Sequence, residues 1–92
     1  MYASLSKTIT AENQFTGWTP LNGSFQIDIT GVTDSTVTFQ RSRDKGVTVH
    51  DIQQFVDETF YHGMVGNSKN MYRIGIKTGD YGSDTVNVNL EA

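Results

Sequence analysis

The residues with the clearest chemical potential lie in the stretch SRDKGVTV, from Ser42 to Val49. Asp44 stands between two hydroxyl residues, Ser42 and Thr48, and this spacing raises the question of a hydrolytic site. The same set also suits a tight turn, because the carboxylate can accept backbone N–H bonds and Gly46 can adopt a positive φ. We therefore interpret these residues as a structural turn that sets strand register.

This stretch resembles the Asp box, Ser-x-Asp-x-Gly-x-Thr-Trp, found in the propeller blades of sialidase-like enzymes. That resemblance would imply sugar hydrolysis, but Val49 stands where the signature has tryptophan. A propeller also needs several blades of about 40 to 50 residues each. A chain of 92 residues is too short for one, so we expect a protein that is not an enzyme.

Other groups that could bind metals or transfer protons are poorly placed. Asp57 and Glu58 are adjacent, so they would face opposite sides of a strand. Asp80 and Asp84 lie in a Gly-rich turn, where aspartate commonly bonds its own backbone. The two histidines are too far apart for a local metal pair, and the chain has no cysteine. We expect no catalytic residue, no metal and no cofactor.

Composition indicates one small all-β domain spanning residues 1–92. Gly, Thr, Ser and Asn are plentiful, as in β domains with many turns. The formal charge of -3 is spread along the chain without a basic block, so nucleic acid is not an expected partner. No apolar run approaches the roughly 20 residues that would cross a bilayer, so no membrane association is expected.

Apolar and polar residues alternate in four runs: SFQIDITG, TVTFQR, MYRIGIKTG and TVNVNL. SLSKTI is a weaker candidate for an edge strand. Turn clusters separate these runs: TPLNG at 19–23, VTDS at 32–35, SRDKG at 42–46, GNSKN at 66–70 and GDYGSD at 79–84. The pattern predicts a single antiparallel β-sandwich of about seven strands, immunoglobulin-like or fibronectin-III-like, with a jelly roll as the alternative.

The segment HDIQQFVDETF allows two interpretations. Its apolar residues recur at helical spacing and its start resembles a capping box, so a short helix over 50–60 is one alternative. We favour two strands, around 47–53 and 55–61, because Val47 and Val49 continue an alternating pattern. The phase slip at Asp51 then predicts a bulge or a corner.

Aromatic residues could serve either packing or recognition. Tyr72 stands where a tyrosine corner would fall in an immunoglobulin-like sandwich. Phe15 and Trp18 are expected to cover an open end of the sandwich. Four aromatics lie near predicted strand ends or loops, where they could stack on a sugar or anchor an interface: Tyr2, Trp18, Tyr61 and Tyr81. Partial burial in the core is the simpler interpretation for each.

The run TVTFQRS, the turn RDKG and the block YRIGIKTGDYGSDTVNVNL together resemble small virion proteins of tailed bacteriophages. The resemblance extends from about Gly23 to Leu90, and Val49 departs from its pattern. It implies a β-sandwich made in the host cytoplasm that decorates or stabilises the capsid exterior. The implied partners are the major capsid protein or other virion proteins, with homo-oligomers possible.

An alternative function is a carbohydrate-binding or adhesion module on a phage head or tail fibre. Such a module would bind a cell-surface glycan through the loop aromatics Trp18, Tyr61 and Tyr81. Neither function requires a catalytic residue.

Overall fold

The computed structural model describes residues 4–21, 23–65 and 70–91. These residues form nine strands: β1 Ser4–Ile9, β2 Gln14–Phe15, β3 Thr19–Pro20, β4 Gly23–Thr30, β5 Val37–Ser42, β6 Val49–Phe55, β7 Thr59–Val65, β8 Met71–Ile76 and β9 Val86–Glu91. The described residues contain no helix, so the helical alternative for segment 50–60 is wrong; β6 ends at Phe55 and β7 begins at Thr59, two and four residues later than the strands predicted at 47–53 and 55–61. None of them forms a helix that could span a membrane.

The strands form two antiparallel sheets. Sheet A has the order β1-β9-β4-β7, and sheet B has the order β2-β8-β5-β6 with β3 also pairing with β8. The two-residue strands β2 and β3 lie along the same neighbour, so together they act as one interrupted edge strand. Their presence accounts for nine strands where about seven were predicted.

The strand pairs are nested around the middle of the chain. β5 pairs with β6, β4 with β7, the interrupted strand β2/β3 with β8, and β1 with β9. Two further pairings, β4 with β9 and β5 with β8, fold this long antiparallel ribbon into two sheets. With β2/β3 counted once, this is the order of an eight-stranded jelly roll.

The predicted all-β sandwich is therefore confirmed, while the immunoglobulin-like order is corrected in favour of the jelly-roll alternative. In immunoglobulin domains the second strand lies between the first and the fifth. Here the last strand, β9, separates β1 from β4. The alternation of apolar residues is the same in both folds, so alternation alone does not separate them.

The core lies between the inner faces of the sheets, as the alternation predicted. In β4 the side chains of Phe25, Ile27 and Ile29 are buried, whereas the residues between them are exposed. Phe39 lies at the centre of the core, with its ring centroid 5.3 Å from that of Phe25 and 5.6 Å from that of Tyr72. Contacts between aromatic rings at these distances stabilise a core beyond the area that they bury.

The predicted irregularity in β6 is a bulge. Phe39 pairs with Gln53 and Gln40 with Asp51, so Ile52 is the extra residue between them. The phase slip predicted at Asp51 therefore falls one residue further along. A bulge of this kind bends its strand and interrupts the edge of the sheet.

Phe15 and Trp18 do not cover an open end of the sandwich. Phe15 belongs to β2 and Trp18 directly precedes β3, and both short strands run along β8 at the edge of sheet B. The segment is held there because Thr16 donates its N–H to the Ile74 carbonyl oxygen, and its Oγ1 accepts the N–H of Ile74.

Candidate functional site

The turn after β5 is organised by hydrogen bonds within SRDKG. The Asp44 carboxylate accepts the Ser42 hydroxyl at 2.8 Å and the Thr48 backbone N–H at 2.7 Å, both at Oδ1. Ser42 Oγ in turn accepts the Gly46 N–H at 2.8 Å. These hydrogen bonds stabilise the turn, which is the structural role expected for Ser42, Asp44 and Gly46.

The electrostatics of this turn favour a permanent negative charge. The Thr48 backbone N–H and then the Ser42 hydroxyl lower the pKa of Asp44 below its ordinary value. A carboxylate that stays ionised is a poor general acid. Gly46 has φ +97° and Lys45 has φ +60°, so the backbone itself is turned through the left-handed region.

The Asp-box pattern has tryptophan at the position of Val49. In this chain the ring of Trp18 packs on the turn instead. Its indole lies against Gly46, on the turn itself, although the two residues are distant in sequence. The guanidinium carbon of Arg73 lies 4.5 Å from the Trp18 ring centroid and 3.8 Å from that of Phe15. This places a cation between two aromatic rings, beside the turn.

A polar network continues from Arg73 across the outer face of sheet B. Arg73 donates from Nε to Gln40 Oε1 at 2.8 Å, and Gln40 donates from Nε2 to Asp51 Oδ1 at 2.9 Å. Lys77 Nζ lies 2.7 Å from Asp51 Oδ2, and this contact lowers the pKa of Asp51 and raises that of Lys77. The network ties β5, β6 and β8 together.

Asp84 joins two loops rather than forming a cation site with Asp80. Its carboxylate accepts the Thr33 N–H at 2.7 Å, the Asp34 N–H at 3.2 Å and the Ser35 hydroxyl. Burial would raise the pKa of Asp84, but these donors outweigh it and hold the pKa far below its ordinary range. No group of three or more candidate metal ligands occurs in the part of the chain that the structure describes.

Three of the aromatics considered for recognition are packed against other residues. Trp18 has the contacts given above. Tyr61 lies within β7 rather than in a loop, and its ring contacts those of Phe25 and Phe55. Tyr81 packs against the core and donates its hydroxyl to the Asp84 carbonyl oxygen at 2.7 Å. Tyr2 lies outside the described residues.

Tyr72 is a core residue in β8, 4% exposed and stacked on Phe39. The tyrosine-corner prediction also requires a hydrogen bond to the preceding loop. That loop, at 66–69, lies outside the described residues, as does most of the predicted turn GNSKN. The corner therefore stays a prediction, and it was derived from an immunoglobulin-like order that the chain does not have.

A polar groove of about 270 Å³ crosses the outer face of sheet A. It is lined by residues of β1, β4 and β9 that the sequence analysis did not single out: Ser6, Lys7, Thr8, Asp28, Thr30, Asn87, Val88 and Asn89. The only sequence signal was the run of Ser, Thr and Asn at alternating positions. Their proximity depends on strands from opposite ends of the chain.

Exposed apolar side chains occur on and beside the edge strands β6 and β7, and one of them, Phe60, adjoins this groove next to Asp28. Among the described residues, the large hydrophobic side chains that are exposed are Val47, Ile52, Val56, Phe60 and Met64. They lie in the turn before β6, in β6, in the connection 56–58 and in β7. We call the surface formed by these residues the β6–β7 side, because β7 is an edge strand of sheet A and β6 is an edge strand of sheet B.

No protein-family model, curated protein or solved structure matches this chain.

Proposed function

We propose that this chain is a structural protein of a bacteriophage virion, without enzymatic activity, that decorates or stabilises the capsid surface through protein–protein contacts. The proposal joins the sequence resemblance to a surface suited to binding another protein. The jelly roll is compatible with it, since viral capsid proteins and lectins both use this fold. Fold alone does not establish function.

The observation that carries the proposal is the position of the exposed apolar side chains. Five of them lie between Val47 and Met64, and Met64 is 78% exposed while Phe60 is 66% exposed. Single exposed apolar residues are common, but Phe60 and Met64 project from the same face of β7, and exposed apolar side chains beside an open strand edge favour an interaction surface.

The backbone of the same side could extend the contact. β7 pairs with β4 along one edge, and no strand of the described residues covers its other edge. Its sequence, TFYHGMV, contains no Asp, Glu, Lys, Arg or Pro, the residues that commonly protect an edge strand from pairing. A partner strand could therefore add to sheet A beside β7.

The state of the carboxylates supports a structural rather than a catalytic role. Asp44 and Asp84 are engaged by several donors each, and both have a lowered pKa. The alternative of a sugar stacking on Trp18, Tyr61 or Tyr81 has less support, because each of these rings packs against neighbouring residues.

Cryo-electron microscopy of purified particles of the phage that encodes this chain tests the proposal. We expect density for the jelly roll on the particle surface, with the β6–β7 side turned towards a shell protein. Particles that lack the protein would overturn the proposal.

A variant makes the test specific to the surface. Met64→Asp places a charge on the β6–β7 side and is expected to lower incorporation into particles. Ser4→Asp is the matched control, because it places the same charge on an exposed residue of β1, at the opposite edge of sheet A. Equal incorporation of both variants would exclude the β6–β7 side as the contact.

A further inference from the structure

The side chains on the outer face of sheet A form rows across the strands, and most of them are polar. One row runs Ser6, Asn89, Asp28 and Phe60, as the pairing of β1, β9, β4 and β7 dictates. The neighbouring row contains Thr8, Asn87 and Thr30. Adjacent strands lie about 4.8 Å apart, so the first row is about 14 Å long, which exceeds the width of one sugar ring.

Hydrogen bonds between neighbouring strands hold the amides of this face in place. Ser6 Oγ donates to Asn89 Oδ1 at 3.1 Å, and Thr8 Oγ1 donates to Asn87 Oδ1 at 2.8 Å. Because the amide oxygens are the acceptors, the Asn87 NH2 group has both of its protons available to a ligand. Asn89 directs one N–H to Glu91 Oε1 at 2.6 Å and keeps the other.

Asp28 provides an acceptor between these donors and an aromatic ring. It is exposed, and within residues 4–21, 23–65 and 70–91 no hydrogen bond or ion pair engages its carboxylate. A second depression, of about 60 Å³, is lined by Asp28, Asn89 and Phe60 together with Gln26 and Glu91. The exposed Phe60 ring is therefore continuous with the polar groove.

We propose that this face of sheet A is a binding site for a neutral oligosaccharide. Sugars present hydroxyl groups that both donate and accept, together with apolar C–H faces. Asp28 would accept hydroxyl protons, Asn87 and Asn89 would donate to sugar oxygens, and Phe60 would stack on a C–H face. This site is independent of the packed aromatics and does not depend on the proposed virion role.

The charge of the face selects against acidic sugars. Asp28 lies on it, and Lys7, although it lines the groove, alternates with Ser6 and Thr8 along β1, so its side chain leaves the strand on the other side. A sialylated or sulfated glycan would place its anion near the exposed Asp28 carboxylate. A neutral chain meets no such repulsion.

The test is an array of neutral, sialylated and sulfated oligosaccharides probed with the purified protein, followed by titration of the best neutral binder. Asp28→Asn is expected to weaken binding about tenfold, because hydrogen bonds to a charged acceptor become bonds to a neutral amide, and Phe60→Ala by a similar factor, because the stacking ring is lost. Asp57→Asn removes an equal charge from an exposed residue in the 56–58 connection and is expected to retain the wild-type affinity.

Nuclear magnetic resonance locates the site in the same titration. The side-chain NH2 signals of Asn87 and Asn89 are expected to shift on binding. Three results would each overturn the proposal: no neutral glycan bound, binding confined to acidic glycans, or wild-type affinity in Asp28→Asn. Because incorporation into particles is measured separately with Met64→Asp, failure here leaves the virion proposal standing.

Discussion

The indole of Trp18 lies against Gly46 so closely that a Cβ built on the glycine would be 2.9 Å from Trp18 Nε1. An aromatic ring therefore packs on the SRDKG turn even though Val49 occupies the usual tryptophan position. The ring comes from the segment between β2 and β3, which sheet B brings beside the turn.

Gly46→Ala is expected to destabilise the protein by about 1 to 3 kcal/mol. Alanine resists the φ of +97°, and its Cβ would collide with the indole. Gly17→Ala is the control, because a Cβ at Gly17 meets nothing within 4 Å. Urea unfolding measures both, and equal stability of the two variants would contradict the packing of Trp18 on the turn.

Phe39→Ala is expected to cost about 3 to 5 kcal/mol, the range for a large aromatic removed from a core. The ring is 2% exposed and lies between Phe25 and Tyr72. Phe60→Ala, at a position 66% exposed, is expected to change stability by less than about 0.5 kcal/mol. Thermal and chemical unfolding compare the two, and a similar loss in both would place the core elsewhere.

Acid is expected to destabilise the protein partly through Asp84. Its pKa is lower in the folded state than in the unfolded chain, so its contribution is complete above the unfolded pKa of about 3.9. That contribution is lost progressively as the pH falls below about 4 towards the pKa of the folded state. Asp84→Asn should therefore flatten the fall in unfolding free energy over this range. An unchanged slope in Asp84→Asn would refute the assignment.

Gln40→Leu is expected to destabilise the protein by about 1 to 3 kcal/mol, because Arg73 Nε and Asp51 Oδ1 each lose a partner. Gln40 is 5% exposed, so water cannot easily replace it. Gln54→Leu, at an exposed position of β6, is the matched control. Equal unfolding midpoints in urea would show that the network contributes nothing.

Local alternation predicted most strands correctly because one face of each strand is buried. It also explains the ambiguity at 50–60, where Ile52, Val56 and Phe60 recur every four residues as in a helix. None of the three is buried: one is the bulge, one lies in the connection and one faces outward from β7. The fourth residue of that spacing, Phe55, is buried at the end of β6, so the helical spacing combined three exposed residues with one core residue.

Pairings between distant strands could not be predicted from local pattern. Ser6 meets Asn89 and Trp18 meets Gly46 only because the ribbon folds back on itself. The groove on sheet A and the ring beneath the turn were missed for this reason. The turn itself was predicted, since Ser42, Asp44 and Gly46 contact one another within five residues.

The position of β9 has a consequence for how the protein is made. β1 is synthesised before the other described strands, yet its only strand partner among the described residues is β9, with Ser4 opposite Glu91. The β5–β6 hairpin and the pairing of β4 with β7 can form before β9 is made, but β1 cannot join sheet A until β9, about 80 residues downstream, is present. Before β9 is made, β1 has no strand partner among the described residues and must stay in solution. The polar side chains of Ser4, Ser6 and Thr8, which alternate along β1, favour this.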